Sequence, residues 1–365
     1  MADFDDRTIR ALAQALSRWF EAEARDLAWR RTRDPYAIWV SEIMLQQTRV
    51  ETVEGYWPRF LARFPDVASL AAADEDAVLE QWSGLGYYRR ARLLHRGAKH
   101  VHEQLGGQLP RSAEGLRSIP GIGRYTAGAI ASIAFDERAP LVDGNVARVH
   151  SRLAALATPK EQDANHEGHW RFVARILEHG SPRILAQALM ELGATVCTPR
   201  SPRCDRCPVR SKCRARAAGT QDSIPAAKLK KQSPELHYFA LALRSGDRLL
   251  FERRPDEGLL AGLWCLPLFA RELGVTADEQ ASALAAAARE RLGVTVQLAE
   301  TPATAIKHVF SHRVWHIVPW AARARRAPKL EKIEGGFAWV DGDGEPEGGV
   351  PTLTRKLLRE LSRET

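Results

Sequence analysis

The chain has 365 residues, of which 45% are hydrophobic and 27% charged, and this is the composition of a folded globular protein of about two domains. Its 26 glycines and 20 prolines exclude a low-complexity or collagen-like chain, and its 5 cysteines exclude a disulfide scaffold. There is no apolar run long enough for a transmembrane helix, and the acidic start does not resemble a secretion signal, so we expect a cytoplasmic protein without a membrane partner. The formal net charge of +8 favours a polyanionic partner.

Up to about residue 215 the hydrophobic pattern is helical, and no stretch alternates convincingly like a strand, so we predict an all-α first domain. The predicted helices cover about residues 7–23, 36–54, 66–82, 89–104, 112–118, 124–135, 145–157, 168–179 and 182–193. Glycine and proline, including Pro58 and Pro120, are expected to punctuate these helices.

After residue 235 the pattern predicts a mixed α/β (α+β) domain. Strands are predicted at 237–243, 248–253, 294–299, 303–310, 313–320 and 336–340, with a helix at 277–292. We therefore divide the chain into a helical domain, a basic linker, an α/β domain and a helical tail, which cover residues 1–214, 215–234, 235–345 and 346–365.

Four cysteines lie close together: Cys197, Cys204, Cys207 and Cys213. One compact run of four thiolates suits an iron–sulfur cluster better than zinc, which usually binds two short Cys-x2-Cys pairs. Zinc or inert thiols are the alternative. The loop inside the run contains Arg200, Arg203 and two prolines, so a cluster would hold rigid cations toward phosphates. Residues 197–232 have a net charge of 10 − 2 = +8, which would equally suit a solubilising linker.

The string Pro-Gly-Ile-Gly at residues 120–123 joins two predicted helices. Gly121 and Gly123 allow a tight turn and close approach of another backbone, and the amides that begin the second helix would point at an anion. This predicts a helix–hairpin–helix that binds DNA phosphates, with an ordinary turn between helices as the alternative.

Glu42 lies in an otherwise apolar predicted helix, beside Ile38 and Trp39. Burial would raise the pKa of its carboxyl and keep it protonated, as general-acid catalysis requires. The alternative is a structural glutamate paired with Arg30 or Arg49.

Asp143 precedes Gly144 just beyond the predicted hairpin. An Asp-Gly pair is usually a turn or a helix cap. Beyond a hairpin that binds DNA, however, this carboxylate would face the bound backbone, and Arg148 and Arg152 would contact phosphates.

These segments together resemble the helix–hairpin–helix DNA glycosylases of the endonuclease III superfamily over essentially the whole chain. The string from Ser41 to Thr48, Ser-Glu-Ile-Met-Leu-Gln-Gln-Thr, resembles the adenine-removing branch in particular. The resemblance implies one [4Fe–4S] cluster on the four cysteines and a double-stranded DNA substrate. The enzyme would flip out an adenine that lies opposite 8-oxoguanine or guanine. We expect a monomer that acts on the nucleoid.

The resemblance also implies roles for single residues. Glu42 would protonate the adenine, and Asp143 would stabilise an oxocarbenium-like sugar, electrostatically or covalently. Tyr125 and Asn145 would orient these groups. Tyr125 stands where the lyase branch has its lysine nucleophile, so we predict a monofunctional glycosylase. The DNA-binding residues implied are Arg30, Gln47, Thr48, Leu85, Tyr87, Gly121, Gly123, Arg148, Arg200 and Arg203.

The C-terminal domain resembles the Nudix fold through the stretch 258–267. Its helix keeps Glu290 where a Nudix hydrolase needs several glutamates, so we expect the fold without pyrophosphate hydrolysis. The resemblance gives Phe310, Ser311 and His312 the task of recognising 8-oxoguanine, while a plain hairpin turn is the alternative.

Three other functions are alternatives. A pyrimidine-removing glycosylase and lyase is disfavoured by Tyr125, Glu42 and the C-terminal domain. A lesion-binding protein without activity is disfavoured by the presence of both Glu42 and Asp143. A nucleotide-pool pyrophosphatase is disfavoured by the depleted metal-binding helix.

Overall fold

The computed structural model describes residues 4–226, 233–330 and 336–363. The chain divides into two compact units. The first comprises Met1–Ala72 and Arg89–Leu229, and the second comprises Ala73–Tyr88 and Lys230–Thr365. Within the described ranges, no helix combines the length and the apolar character needed to cross a membrane.

The first unit is helical in every element that the structure describes there. Its helices are α1 (Asp6–Glu23), α2 (Pro35–Leu45), α3 (Val50–Arg63), α4 (Val67–Ala72), α6 (Arg89–Gln104), α7 (Ala113–Leu116), α8 (Arg124–Phe135), α9 (Gly144–Ala154), α10 (Glu167–Leu177), α11 (Pro182–Thr195) and α12 (Arg214–Ala217). Single 3-10 turns cover Ala28–Arg30, Cys204–Arg206 and Arg210–Lys212. The remaining helix before residue 100, α5 (Glu75–Gln81), lies in the second unit.

Helix α2 lies at the centre of the first unit because its sequence is apolar on every side. All residues from Tyr36 to Met44 are buried. The helix begins at Pro35, whose fixed φ suits a first helical position, and the Asp34 side chain caps it by accepting from the amide of Tyr36. A carboxylate on such a helix is removed from water, and burial of this kind raises its pKa.

Three expectations about these helices are wrong. The pattern predicted one helix over 36–54, but the chain breaks between α2 and α3, where Gln47 takes a left-handed φ of 58°. Pro58 was expected to punctuate the helices, yet it lies inside α3, where tertiary packing outweighs the one backbone hydrogen bond that proline removes. The predicted helix over 66–82 is likewise two helices, α4 and α5.

The second unit contains a mixed sheet. Its strands are β1 (Glu235–Ser245), β2 (Arg248–Arg253), β3 (Trp264–Cys265), β4 (Leu268–Ala270), β5 (Val296–Leu298), β6 (Ile306–Val309), β7 (Val314–Ala324) and β8 (Gly336–Asp341). The main order is β3-β2-β1-β7-β5, while β4 pairs with β1, β6 with β7 and β8 with β2. Strands β1 and β7 are parallel, with His237 opposite His316, and the other pairs are antiparallel.

A helix packs on each face of this sheet. On one face α13 (Ala277–Leu292) buries Leu284 and Leu292 against Phe239 and its neighbours. On the other face α14 (Thr352–Arg363) buries Leu353 and Leu357. Alternate residues of β1 therefore enter two separate cores, which is the layered arrangement expected of an α/β domain.

Candidate active site and iron–sulfur segment

A cavity of about 530 Å³ opens in the first unit between the ends of α2, α8, α9 and α11. This volume falls in the usual range for small-molecule sites, about 300–1,000 Å³. The predicted site residues that line the cavity are Arg30, Glu42, Gln47, Thr48, Tyr125, Asp143 and Asn145. The structure thus brings together the four candidate catalytic residues, which come from three different helices or their first turns.

Glu42 is 4% exposed, and the Tyr125 hydroxyl donates to its Oε2 at 2.9 Å. Burial, helped by the nearby Asp143 charge, raises the pKa of Glu42 to about 7, while the Tyr125 hydrogen bond opposes the rise. Burial also raises the pKa of Tyr125 well above its usual value, so its hydroxyl stays a donor. Glu42 is therefore a carboxylic acid that exchanges a proton near neutrality.

The structural alternative for Glu42 finds no support in these contacts. Arg30 donates to Glu191 Oε2 at 2.7 Å instead of pairing with Glu42. Arg49 is exposed. The hydrogen bond that the structure shows at the Glu42 carboxyl is the one from Tyr125.

Asp143 is the N-cap of α9. Its Oδ1 accepts from the Val146 amide at 2.7 Å, and its Oδ2 accepts from the Asn145 side-chain amide at 2.8 Å. The Asp-Gly pair is thus a helix cap, as its commonest interpretation predicted, and the same carboxylate lines the cavity with Glu42. Because the cap and Asn145 hold both oxygens, the carboxylate is oriented before any substrate binds.

The Asn145 amide is held in turn by Arg148, whose Nη2 donates to Asn145 Oδ1 at 2.8 Å. The same guanidinium donates to the carbonyl of Gly193 at 2.9 Å and, through Nε, to that of Cys197 at 2.9 Å. Arg148 is 9% exposed. These donors are used within the protein, and a contact of Arg148 with phosphate stays a prediction.

Arg152 is used within the protein in the same way. It is 2% exposed and donates to the carbonyls of Ile224, Thr198 and Pro199. Its Nη1 also lies 3.4 Å from Cys197 Sγ. Arg152 therefore supports the cysteine segment from inside the protein. Arg200 and Arg203 are exposed, although Arg203 also donates to the carbonyl of Thr195.

Glu191 is a buried carboxylate that the sequence reasoning missed. It lies on α11 at the cavity wall and accepts from Arg25 at 2.7 Å and from Arg30 at 2.7 Å. Burial alone would raise the pKa of Glu191, but these hydrogen bonds outweigh it and lower the pKa to about 2. Its position among Leu189 and Leu192 on an apolar helix is the same pattern that identified Glu42, so the sequence contained the indication.

Arg90 is a second residue that was missed. Its guanidinium donates to the carbonyls of Ile43 at 2.9 Å, Met44 at 2.8 Å and Gln46, and it also donates to Thr48 Oγ1 at 3.0 Å. It therefore caps the end of α2. The neighbouring Gln47 is exposed, with the strained left-handed φ already noted, and such strain occurs most often at functional sites.

The predicted hairpin forms between α7 and α8. Gly121 has a φ of 86°, and a Cβ there would lie 2.8 Å from Leu93 Cβ, so the turn requires glycine. Gly123 is the N-cap of α8 and has no atom within 4 Å of where a Cβ would lie. The backbone at this end of α8 is thus open to close approach, as an anion-binding helix start requires.

All four cysteines of the predicted cluster line one cavity with Arg152. Among the described residues, the group of three possible metal ligands within 4.8 Å of one another contains no cysteine. The four thiols lie on one compact stretch of chain, which suits an iron–sulfur cluster. Burial raises the pKa of the Cys207 thiol to about 12.

In the second unit Phe310, Ser311 and His312 form the turn between β6 and β7, and the amide of Phe310 donates to the carbonyl of Arg313 at 2.8 Å. The Ser311 Oγ lies 3.3 Å from the Tyr87 hydroxyl. His312 is exposed, and the Phe310 ring contacts Trp315. Leu85, one of the predicted DNA-binding residues, is buried at 6% exposure, and its role stays a prediction.

Comparisons with known proteins agree with the fold and the site described above. The sequence matches the profiles of the HhH-GPD superfamily base excision DNA repair protein at residues 40–172, the iron–sulfur binding domain of endonuclease III at 197–213 and the NUDIX domain at 238–360. A solved thermostable thymine-DNA glycosylase is 26% identical, with a TM-score of 0.54, and covers 58% of this chain and 98% of its own. The fold and the site therefore define a base-excision DNA glycosylase with an iron–sulfur segment.

The relatives narrow this class further. The adenine DNA glycosylase of Rattus norvegicus is 35% identical over 97% of this chain and 78% of its own length. That of Buchnera aphidicola subsp. Schizaphis graminum is 28% identical over 96% and 99%. The chain belongs to the adenine DNA glycosylase family. It is an enzyme that hydrolyses N-glycosidic bonds in DNA and carries a [4Fe–4S] cluster, for which Cys197, Cys204, Cys207 and Cys213 are the expected ligands.

Proposed function

We propose that this enzyme removes adenine paired opposite 8-oxoguanine or guanine, as a monofunctional glycosylase with Glu42 as general acid. The observation that carries the proposal is the buried Glu42–Tyr125 pair, which lies in one cavity with Asp143. The compartment proposed for it is the cytoplasm, where it acts as a monomer on the DNA of the nucleoid.

The proposed reaction begins with a flipped adenine in the cavity. Glu42 gives its proton to N7 of the base, and the bond from C1′ to N9 breaks with its electron pair leaving on adenine. The carboxylate of Asp143 stabilises the cationic sugar, either as a fixed charge or by a transient bond to C1′. Water then adds to C1′, where it displaces the Asp143 oxygen if that bond has formed, and gives up its proton to a carboxylate.

The hydrogen bonds of the site support these roles for Glu42 and Asp143. A Glu42 pKa of about 7 leaves roughly half of the enzyme ready to donate a proton at neutral pH. Asn145 and the cap amide hold both oxygens of Asp143. Tyr125 replaces the lysine of the lyase branch with a group that forms no Schiff base, so strand breaks are expected only after alkali.

Recognition of the opposite base is proposed for the turn at residues 310–312. Ser311 is exposed and has a hydroxyl that can donate to or accept from a damaged base, and the Phe310 ring lies beside it for stacking. Gln47 and Tyr87, both exposed and both with positive φ, are proposed to enter the duplex beside the flipped nucleotide.

The test is single-turnover release of adenine from duplexes that place it opposite 8-oxoguanine, guanine or thymine. We expect release opposite the first two and little opposite thymine, with loss of activity in Glu42→Gln. Glu103→Gln, an exposed glutamate on α6, is the matched control and should be fully active. An active Glu42→Gln, or efficient borohydride trapping of a protein–DNA adduct by the wild type, would contradict the proposal.

A further inference from the structure

Three possible metal ligands converge in the second unit, whereas the cavity and the cysteines belong to the first unit. They are Glu235, His237 and His316, and their ligand atoms all lie within 4.8 Å of one another. Glu235 and His237 are two residues apart on β1, so their side chains share a face of the sheet. His316 is the direct neighbour of His237 across the parallel pair of β1 and β7.

The spacing of these ligand atoms is close to the spacing found around a bound metal ion. His316 Nε2 lies 3.0 Å from Glu235 Oε2, and the two imidazole rings stack with centroids 4.7 Å apart. A tetrahedral zinc ion with nitrogen and oxygen ligands at about 2.1 Å needs donor atoms about 3.4 Å apart. Small side-chain rotations therefore suffice to bring the three donors around one ion.

One buried polar atom of this group lacks a hydrogen-bond partner among the described residues. His237 Nδ1 is buried and has no hydrogen-bond partner among the residues that the structure describes. A buried imidazole nitrogen without a partner costs free energy, and this cost is removed when the ring binds a metal or a water molecule. Glu235, in contrast, is exposed, so an ion can enter and keep a water as its fourth ligand.

We propose that Glu235, His237 and His316 form a binding site for Zn²⁺ that ties the start of β1 to β7. Two imidazoles and one carboxylate are a ligand set that zinc commonly takes. Lys307 of β6 lies with its Nζ 3.8 Å from Glu235 Oε1 and competes with the ion for that carboxylate. Removal of this lysine therefore tightens binding, whereas removal of a ligand weakens it.

The test is equilibrium dialysis of the full-length protein, with its cluster fully loaded, against Zn²⁺, followed by measurement of bound zinc. We expect one equivalent more in the wild type than in the double variant His237→Gln/His316→Gln. His102→Gln, which removes an exposed histidine on α6, should bind as much as the wild type. Equal zinc uptake by the wild type and the double variant would overturn the proposal.

Two further readouts keep the result interpretable. Zinc should raise the thermal midpoint of the wild type by several degrees and leave that of the double variant unchanged. Adenine release by the double variant without zinc should equal that of the wild type, which shows that the variant is folded. Lys307→Gln should bind zinc up to about fivefold more tightly, and equal or weaker binding would refute Glu235 as a ligand.

Discussion

The hydrogen bond from Tyr125 to Glu42 sets the pH at which the proposed acid loses its proton. The phenol donates to the charged carboxylate, so it lowers the pKa of Glu42 against the larger effect of burial. Replacing Tyr125 with phenylalanine removes the donor and leaves the carboxyl buried. The pKa of Glu42 should therefore rise above its present value.

The size of this rise follows from the kind of hydrogen bond that is lost. A hydrogen bond to a charged group contributes about 1.5–3 kcal/mol, which corresponds to about 1–2 pKa units. The pKa of Glu42 in Tyr125→Phe should then lie at about 8–9, compared with about 7 in the wild type.

The sign can be checked against the rate. Because only protonated Glu42 donates, the rate is full below its pKa and falls as pH rises through it. At pH 8 the wild type should retain about a tenth of its plateau rate, and Tyr125→Phe about half or more. Single-turnover adenine release measured from pH 5 to pH 9.5, with each enzyme scaled to its own plateau, gives this comparison directly.

A matched control exists on α2, the helix that carries Glu42. Tyr36 of α2 is also buried, and its hydroxyl donates to the carbonyl of Phe64 at 2.9 Å, away from Glu42. Tyr36→Phe should lower stability slightly and leave the alkaline limb of the pH profile in place. An alkaline limb that stays fixed or moves to lower pH in Tyr125→Phe would refute the reasoning.

The remaining predictions concern the supports of the site. Glu191→Gln should lower the stability of the first unit by about 3 kcal/mol at pH 7, because the folded pKa of about 2 lies below the ordinary 4.5. This deficit should shrink as pH falls from 4.5 toward 2, and thermal unfolding that shows the same deficit at pH 7 and pH 3 would contradict it. Arg148→Met should slow adenine release by about 10–100-fold and reduce the iron content severalfold. It should leave the salt dependence of DNA binding unchanged, since the donors of Arg148 face the protein. Gly121→Ala should destabilise the hairpin by about 1–2 kcal/mol because of its positive φ and the contact with Leu93, whereas Gly123→Ala should fold normally and bind DNA more weakly. Unfolding and DNA-binding titrations of Gly121→Ala and Gly123→Ala separate the effect on stability from the effect on DNA binding. Equal behaviour of the two variants would contradict this prediction.

The sequence was sufficient to locate the candidate acid and the cluster. Glu42 stood out because a single charge in an apolar helix has few explanations, and the cysteines because their spacing is compact. Composition reports the charge of Arg148 but not the direction in which its side chain points. Its position on α9 beside Asn145 is decided by how that helix packs, which involves the distant carbonyls of Gly193 and Cys197.

Short elements escaped prediction for a related reason. Strands β3 and β4 contain two and three residues, too few to show an alternating pattern, and their pairing partners β2 and β1 decide them. The break after α2 is likewise caused by Arg90, which lies more than forty residues further along the chain and caps the helix from outside.

The second unit takes up a segment, Ala73–Tyr88, that the ribosome makes long before the rest of that unit. The Ser83 hydroxyl donates to the carbonyl of Val350 across 267 positions, and Asp76 pairs with Arg253. During synthesis this segment lacks these partners until the chain has been extended to Val350. A stop codon placed after the first unit would therefore yield a protein with an unfinished surface, and shortened forms of the enzyme are expected to depend on chaperones even though the cavity lies entirely in the part that remains.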